Sequence, residues 1–369
     1  MATLTLQNIL QSQLDSYLAL QPLPPHLIKA LKQIRDCRTS KMGSHSDYCE
    51  HGHLLGVYHN SCRCRACPQC QKLANARWLE KQKAKLLDTQ HHHIIFTIPH
   101  DYNSLWMYNK RWFNDTLFQS VRYAINTLAN DPKYLGAKPG FILALHTWGR
   151  SLSIHPHIHC LIAHGGLNDV GEWVAPKRDI LFPQKVLSRL FKKQLLKTLR
   201  AALLNAELQL PPELTYKAIH SRISSHKKKA WVVHACKPYA TGMGVAKYLA
   251  RYMKGGPLQK ARLFEANDKV KFRFKSHKSG QYETRLYRPE NLVSLAAQHI
   301  AESGQQTVRC YGLYNHCCED KLNQARAHFR QQAVNYLELS VQDFLMRADA
   351  LPTCVLCAKK EEAADSCEG

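Results

Sequence analysis

The sequence predicts an α+β chain, and three observations carry that prediction. Two short apolar runs, Phe141 to Leu145 and Ile158 to Ala163, are bounded by Gly-containing turns and read as buried strands. Residues 103–129 and 185–208 instead repeat their apolar side chains with largely helical spacing. Residues 268–288 alternate Val270, Phe272 and Phe274 with Lys269, Lys271, Arg273 and Lys275, the pattern of a hairpin with one apolar and one basic face.

Composition narrows the partners. The 369 residues are 45% hydrophobic, enough for real cores in two or three domains. Lys and Arg number 51 against 28 Asp and Glu, a formal charge of +23 that solubility does not require. A polyanion, nucleic acid above all, explains it best. No apolar run approaches the roughly 20 residues that span a bilayer. The N-terminus MATLTLQNILQSQLDSYL lacks a charged-then-apolar signal pattern. The expectation is a soluble cytoplasmic protein with no membrane partner. Fourteen cysteines in a chain of this length do not read as a secreted disulfide framework, so clustered Cys point to metal.

In chain order, residues 1–36 are a helical lead-in: two helices broken at Pro22-Leu23-Pro24-Pro25. Leu6, Ile9, Leu10, Leu14 and Leu18 mark the apolar face of the first, and Leu27, Ile28, Leu31 and Ile34 that of the second. Residues 37–88 are expected to form a zinc-ribbon-like, DNA-contacting domain. Cys67-Pro68-Gln69-Cys70 is a CxxC knuckle of the kind that holds tetrahedral zinc. Cys49 with His51 is the first choice to complete it, then Cys62, with Cys37 or His45 as alternatives. With His53 and Cys64 also candidates, and His45 and His59 added, the window holds enough Cys and His for a second ion. A redox role for the CxxC lacks the strand–helix context it needs. Arg63, Arg65, Lys72 and Arg77 interleave the knuckle and suit phosphate.

A helix is expected over Gln71 to Leu87, then a strand from His93 to His100 ended by Pro99. The run His91-His92-His93 reads as a solvated turn, with metal ligation the alternative. The basic amphipathic helix over 185–208 is followed by a Lys227-Lys228-Lys229 loop, both surfaces for phosphate or solvent. Val245 to Gly256 reads as a helix stopped by its Gly pair. Tyr248 and Tyr252, at i and i+4, emerge on one face with Lys247, Arg251 and Lys254 around them. Residues 289–369 are read as a helix-rich C-terminal region with a disordered acidic tail. Its Cys317, Cys318, Cys354 and Cys357 are an ambiguous set: the terminal CxxC could bind zinc, with partners unassigned.

The central feature is His155-Pro156-His157-Ile158-His159. Alternate residues of a strand share a face, so the three imidazoles stand together while Ile158 and Cys160 point into the core. Imidazoles side by side on a stiff strand make a metal site. A tyrosine hydroxyl, with a pKa near 10, is a weak nucleophile unless a metal polarises the phosphate it attacks. Histidines holding a divalent ion beside a Tyr helix supply that chemistry, and two tyrosines allow two phosphotyrosine links.

These residues carry a family resemblance. HPHIHCL resembles the His-hydrophobe-His motif of HUH single-strand endonucleases. With LHTWG, YLARY and NSCRCRACPQCQ, it resembles the double-tyrosine rolling-circle transposases of bacterial insertion sequences, from about Leu6 to Leu313. The resemblance implies an HUH-type palm with a central antiparallel sheet over 89–288, a Mg²⁺ or Mn²⁺ site, a structural Zn²⁺, and cleavage of single-stranded DNA at element ends and target. It implies 5′-phosphotyrosine intermediates, with His157 and His159 as metal ligands and Tyr248 and Tyr252 as nucleophiles, Lys254 beside them. His146 is the first candidate for third ligand and His155 the second. Relatives usually show a second CxxC-G pair where this chain has Cys49-Glu50-His51-Gly52.

Rival readings are a zinc-dependent DNA-binding regulator without catalysis and a metal hydrolase whose nucleophile is water. The first leaves HPHIH and the paired tyrosines unexplained, and the second forms no protein–DNA adduct.

Overall fold

The computed structural model describes residues 4–176, 180–244, 246–247, 258, 262–276, 279–348 and 350–358. The helix expected over 245–256 lies outside them apart from Ala246 and Lys247, so Tyr248, Arg251, Tyr252 and Lys254 are not placed. The acidic tail beyond residue 358 lies outside them too.

Helices α1 (Leu6–Leu20) and α2 (Pro25–Asp36) form the predicted pair. Thr5 caps α1 through a reciprocal box with Asn8, and Pro25 opens α2 where its missing N–H costs nothing. Strands β1 (Ser44–Tyr48) and β2 (Leu54–His59) make an exposed two-stranded hairpin. Helix α3 (Gln71–Lys85) leads to β3 (His91–Thr97). Then follow α4 (Asn103–Tyr108), α5 (Lys110–Ala129), β4 (Gly140–Trp148), β5 (Ile154–Ala163) and the short β6 (Gly166–Leu167) and β7 (Trp173–Val174). Next come α6 (Gln184–Leu204), α7 (Tyr216–Lys228) and β8 (Val233–Ala235). The C-terminal third holds β9 (Leu263–Ala266), β10 (Lys269–Lys275), β11 (Tyr282–Tyr287), α8 (Pro289–His299), β12 (Val308–Gly312), α9 (Glu319–His328) and α10 (Val341–Arg347).

The central sheet has five strands in the order β12-β4-β5-β3-β8, every neighbour antiparallel. The chain is therefore an α+β protein with a central antiparallel sheet. One sheet face carries Ile94, Phe96, Phe141, Leu143, Ile158 and Cys160 and packs on α5 and α6. The opposite face carries Ile142, Ala144, Leu161 and Ala163, covered by Leu86, Leu87, Tyr314 and Ala246. Both faces are buried, which is why β4 and β5 read as apolar runs rather than alternations. A separate core unites α1, α2, Cys37, Cys62 and Cys67 with β9, β10 and α8. The N-terminal helices thus share their core with C-terminal elements.

Four details differ from the sequence reading. His91, His92 and His93 lie inside β3 and are buried, not in a solvated turn, because β3 begins two residues earlier and pairs with β5 and β8. The single helix expected over 103–129 breaks at Asn109, whose side-chain amide donates to the carbonyls of Leu105 (2.9 Å) and Gln209 (2.8 Å). The Lys227-Lys228-Lys229 loop is the end of α7, capped by Lys192 Nζ donating to Lys227 O (2.9 Å) and Lys229 O (2.8 Å). The 268–288 hairpin gains a third strand, β9.

Candidate metal centres and nucleic-acid face

Register aligns the histidines. His146 on β4 pairs with His157 on β5, and Ala144 pairs with His159. Directly paired residues share a sheet face, so His146, His157 and His159 converge. Each offers a nitrogen within 4.8 Å of the other two, and all three are buried. His155 lies at the half-buried start of β5, its ring tilted against those of His100 and His157, and is not part of this trio.

The tautomers follow from the partners. Nδ1 of His157 faces the His155 carbonyl oxygen at 2.6 Å, so that nitrogen carries the proton and donates it. Nε2 of His157 is left with its lone pair, 3.0 Å from Nε2 of His159. Nδ1 of His159 in turn meets Nε2 of His93 at 2.8 Å. A carbonyl or imidazole behind a histidine is the arrangement that orients a metal ligand. Burial pushes His157 down to about 3, and pushes His146 and His159 well below the ordinary imidazole range. All three are neutral at pH 7, the form that ligates. Bonds of about 2.1 Å meeting at a right angle separate two donors by about 3.0 Å, so the His157–His159 spacing suits one edge of an octahedral shell. The donor set fits a divalent ion.

The cysteines sort differently from the sequence reading. Cys37, Cys62, Cys67 and Cys70 form one cluster. Sulfur–sulfur distances are 3.4 Å for Cys37–Cys70, 3.5 Å for Cys62–Cys70 and 3.7 Å for Cys37–Cys67. A tetrahedron with zinc–sulfur bonds of about 2.3 Å has edges of about 3.8 Å. Arg38 and Arg63, each just after a cluster cysteine, take left-handed φ values of 56° and 51°. These turns accompany donation from the Cys62 amide to Cys37 Sγ (3.5 Å) and from the Cys64 amide to Cys62 Sγ (3.4 Å). Thiol donation from Cys62 and Cys67 holds Cys70 far below the ordinary thiol range, so a thiolate is already favoured there. Cys49 and His51 do not complete this cluster. The β1–β2 hairpin carries them away, and Cys49 meets His53, Cys354 and Cys357 instead. His51 lies beside Cys357, at 3.3 Å.

The basic candidates lie on several surfaces. Arg63 and Lys247 are exposed. Arg65 is partly engaged, donating to the Gln305 carbonyl at 2.7 Å. On β10, Arg273 and Lys275 are exposed and Lys271 half-buried, while Val270 and Phe272 fill the core behind them. Lys275 pairs with Tyr282 across the sheet, and Arg273 lies over the Phe264 and Tyr282 rings at 5.2 and 5.4 Å. The face is a basic ladder with an exposed aromatic among its cations.

Comparison with known proteins ties these parts together. Residues 9–98 match a family described as "Transposase zinc-binding domain", and residues 140–321 one described as "Putative transposase". The "Putative transposase y4qJ" of Sinorhizobium fredii is 35% identical over 308 residues, 81% of this chain and 77% of that protein. The chain belongs to this family of insertion-sequence transposases with an N-terminal zinc-binding domain. The "Transposase for insertion sequence element IS801" of Pseudomonas savastanoi pv. phaseolicola is 31% identical over 283 residues, 75% of this chain and 66% of its own length. No solved structure matches. The transposase carries its Cys37–Cys70 cluster in the first matched segment and the histidine strands β4 and β5 in the second. Among the described residues, no helix is long and apolar enough to cross a membrane.

Three participants were left unassigned by the sequence reading. His93 was hidden in a run of three histidines that carries no strand period, and only the β3–β5 pairing exposes it. Cys354 and Cys357 were visible as CxxC, but their partners lie some 300 residues away.

Proposed function

We propose that the transposase nicks and rejoins single-stranded DNA at the ends of its insertion sequence and at the target, in rolling-circle fashion. The observation that carries the proposal is the trio His146, His157 and His159 on the sheet face that also buries Ala246, two residues before Tyr248. A Mg²⁺ or Mn²⁺ ion held there would polarise the scissile phosphate and neutralise charge on its oxygens. Manganese suits an all-imidazole set better than magnesium, which prefers oxygen.

In this reading Tyr248 or Tyr252 attacks the phosphorus through its hydroxyl oxygen, and the bond from phosphorus to the 3′ oxygen breaks. The products are a 5′-phosphotyrosine and a free 3′-hydroxyl. A 3′-hydroxyl then attacks that phosphotyrosine, restoring both a DNA phosphodiester and the tyrosine. Two tyrosines serve two strand ends. Lys247, Arg251 and Lys254, near them in sequence, would supply positive charge that favours the phenolate. Buried neutral imidazoles keep the phosphate-binding side of the sheet ready to ligate without first losing protons. The Cys37, Cys62, Cys67 and Cys70 cluster holds zinc and fixes the loop that presents Arg63. The basic face of β10 tracks the DNA backbone.

The test mixes full-length protein with single-stranded DNA spanning an element end and Mn²⁺, on a denaturing gel. A metal-dependent covalent adduct is expected. It disappears in His157→Ala and in Tyr248→Phe/Tyr252→Phe. Cleavage without an adduct would instead make water the nucleophile, and binding without cleavage would make the protein a regulator.

A further inference from the structure

We infer that the transposase holds a second zinc ion in a clasp built from opposite ends of the chain: Cys49 and His53 of the β1–β2 hairpin, and Cys354 and Cys357 of the C-terminal segment. Both C-terminal cysteines lie beyond the segment matched to the transposase family, which ends at residue 321. The four ligand atoms form a group distinct from the Cys37–Cys70 cluster.

The distances are those of a coordination shell. Nδ1 of His53 lies 3.5 Å from Cys49 Sγ, 3.5 Å from Cys354 Sγ and 3.4 Å from Cys357 Sγ. Cys49 and Cys357 sulfurs are 3.8 Å apart. A tetrahedral zinc with bonds of about 2.3 Å to sulfur and about 2.05 Å to nitrogen separates sulfur from sulfur by about 3.8 Å and sulfur from nitrogen by about 3.6 Å. One nitrogen equidistant from three sulfurs matches a Cys₃His site more closely than a chain of thiol hydrogen bonds, which are weak and need not converge.

Local structure prepares both halves. In the hairpin, the Cys49 amide donates to the His53 carbonyl (2.9 Å) and the Gly52 amide to the Cys49 carbonyl (2.9 Å). Gly52 sits at φ +78°, and the turn brings side chains 49 and 53 together. The His53 amide donates to Cys49 Sγ at 3.3 Å, a contact that stabilises a thiolate. In the C-terminal segment, the Ala358 amide donates to the Cys354 carbonyl at 3.0 Å. That single helical turn sets Cys354 and Cys357 on one side. His51 reaches Cys357 but is not one of the four mutually close ligand atoms, so it is outside the shell.

The clasp has a structural consequence. The C-terminal arm runs along α3, where Arg77 Nε donates to the Leu339 carbonyl (2.8 Å) and Arg347 pairs with Glu80 (3.1 Å). Helix α3 begins at Cys70 of the first cluster. A clasp at the end of the arm therefore fixes the hairpin, the arm and the helix that carries the first zinc cluster into one unit.

Zinc content tests this on the full-length protein, purified without added metal, desalted, and read by plasma mass spectrometry and native mass spectrometry. The wild type is expected to hold about two zinc ions per chain. Cys354→Ser/Cys357→Ser and, separately, His53→Ala are expected to hold about one, while His51→Ala keeps two. Trypsin should also cut after Arg347 sooner in the double variant. One zinc in the wild type, two retained in the double variant, or a metal-free oxidised cysteine pair would overturn the inference. Should the variants misfold, a count of one zinc in the wild type still overturns the inference. The inference is independent of DNA cleavage, so a protein that fails to nick leaves it standing.

Discussion

At the scale of single residues, the centre depends on what stands behind each imidazole. His157 is oriented by a carbonyl of its own strand, whereas His159 depends on His93 from the neighbouring strand. Removing such a support commonly costs 10–100-fold in metal affinity. His93→Ala should therefore weaken Mn²⁺ binding by about that factor in a calorimetric titration, and an unchanged affinity would remove His93 from the centre. Two further buried histidines make stability depend on pH. Burial lowers His91 and His299 to about 4, against an ordinary value of about 6.5. Between those values the unfolded chain binds protons that the folded chain refuses. Stability is thus full above about pH 6.5 and falls as pH drops toward 4, by about 1.4 kcal/mol per pH unit for each group. Denaturant unfolding of metal-free protein across that window checks the sign; a stability that rises on acidification would contradict it. The alternation of His155, His157 and His159 was legible from sequence because a strand has a period of two. The role of His93 was not, because it rests on which strand lies beside β5.

At the scale of elements, β10 is the clearest case of pattern becoming structure. Its apolar residues enter the core and its cations line the open face, as alternation predicted. If that face tracks phosphates, Arg273→Ala/Lys275→Ala should weaken binding to single-stranded DNA. It should also flatten the logarithmic salt dependence by up to about 1.4, near 0.7 for each lost contact. Fluorescence anisotropy at several salt concentrations measures both, and an unchanged slope would move the DNA path elsewhere. Other elements were harder to read for identifiable reasons. The break at Asn109 interrupts no apolar stripe; it is set by side-chain bonds to Leu105 and Gln209. The edge strand β12 has only five residues, all half-buried, and its character comes from pairing with β4. The Lys227–Lys229 run looked like a solvated loop because charge says nothing about the Lys192 amine that caps it.

At the scale of the molecule, a charge of +23 is distributed over a fold in which Cys49 meets Cys357. Composition made nucleic acid the expected partner, and the ordered motifs made the family legible. Distant pairings were not legible: α1 packing on α8, or Cys49 facing Cys357, depends on contacts that no local pattern encodes. The central claim is that a tyrosine of the stretch following Ala246 becomes covalently joined to the 5′ end of nicked DNA. The most direct measurement digests the adduct formed with Mn²⁺ and a single-stranded element end, and maps the modified peptide by mass spectrometry. A nucleotide phosphate on Tyr248 or Tyr252 is the predicted result. A nicked product carrying a free 5′-phosphate, with both tyrosines unmodified, would contradict the account.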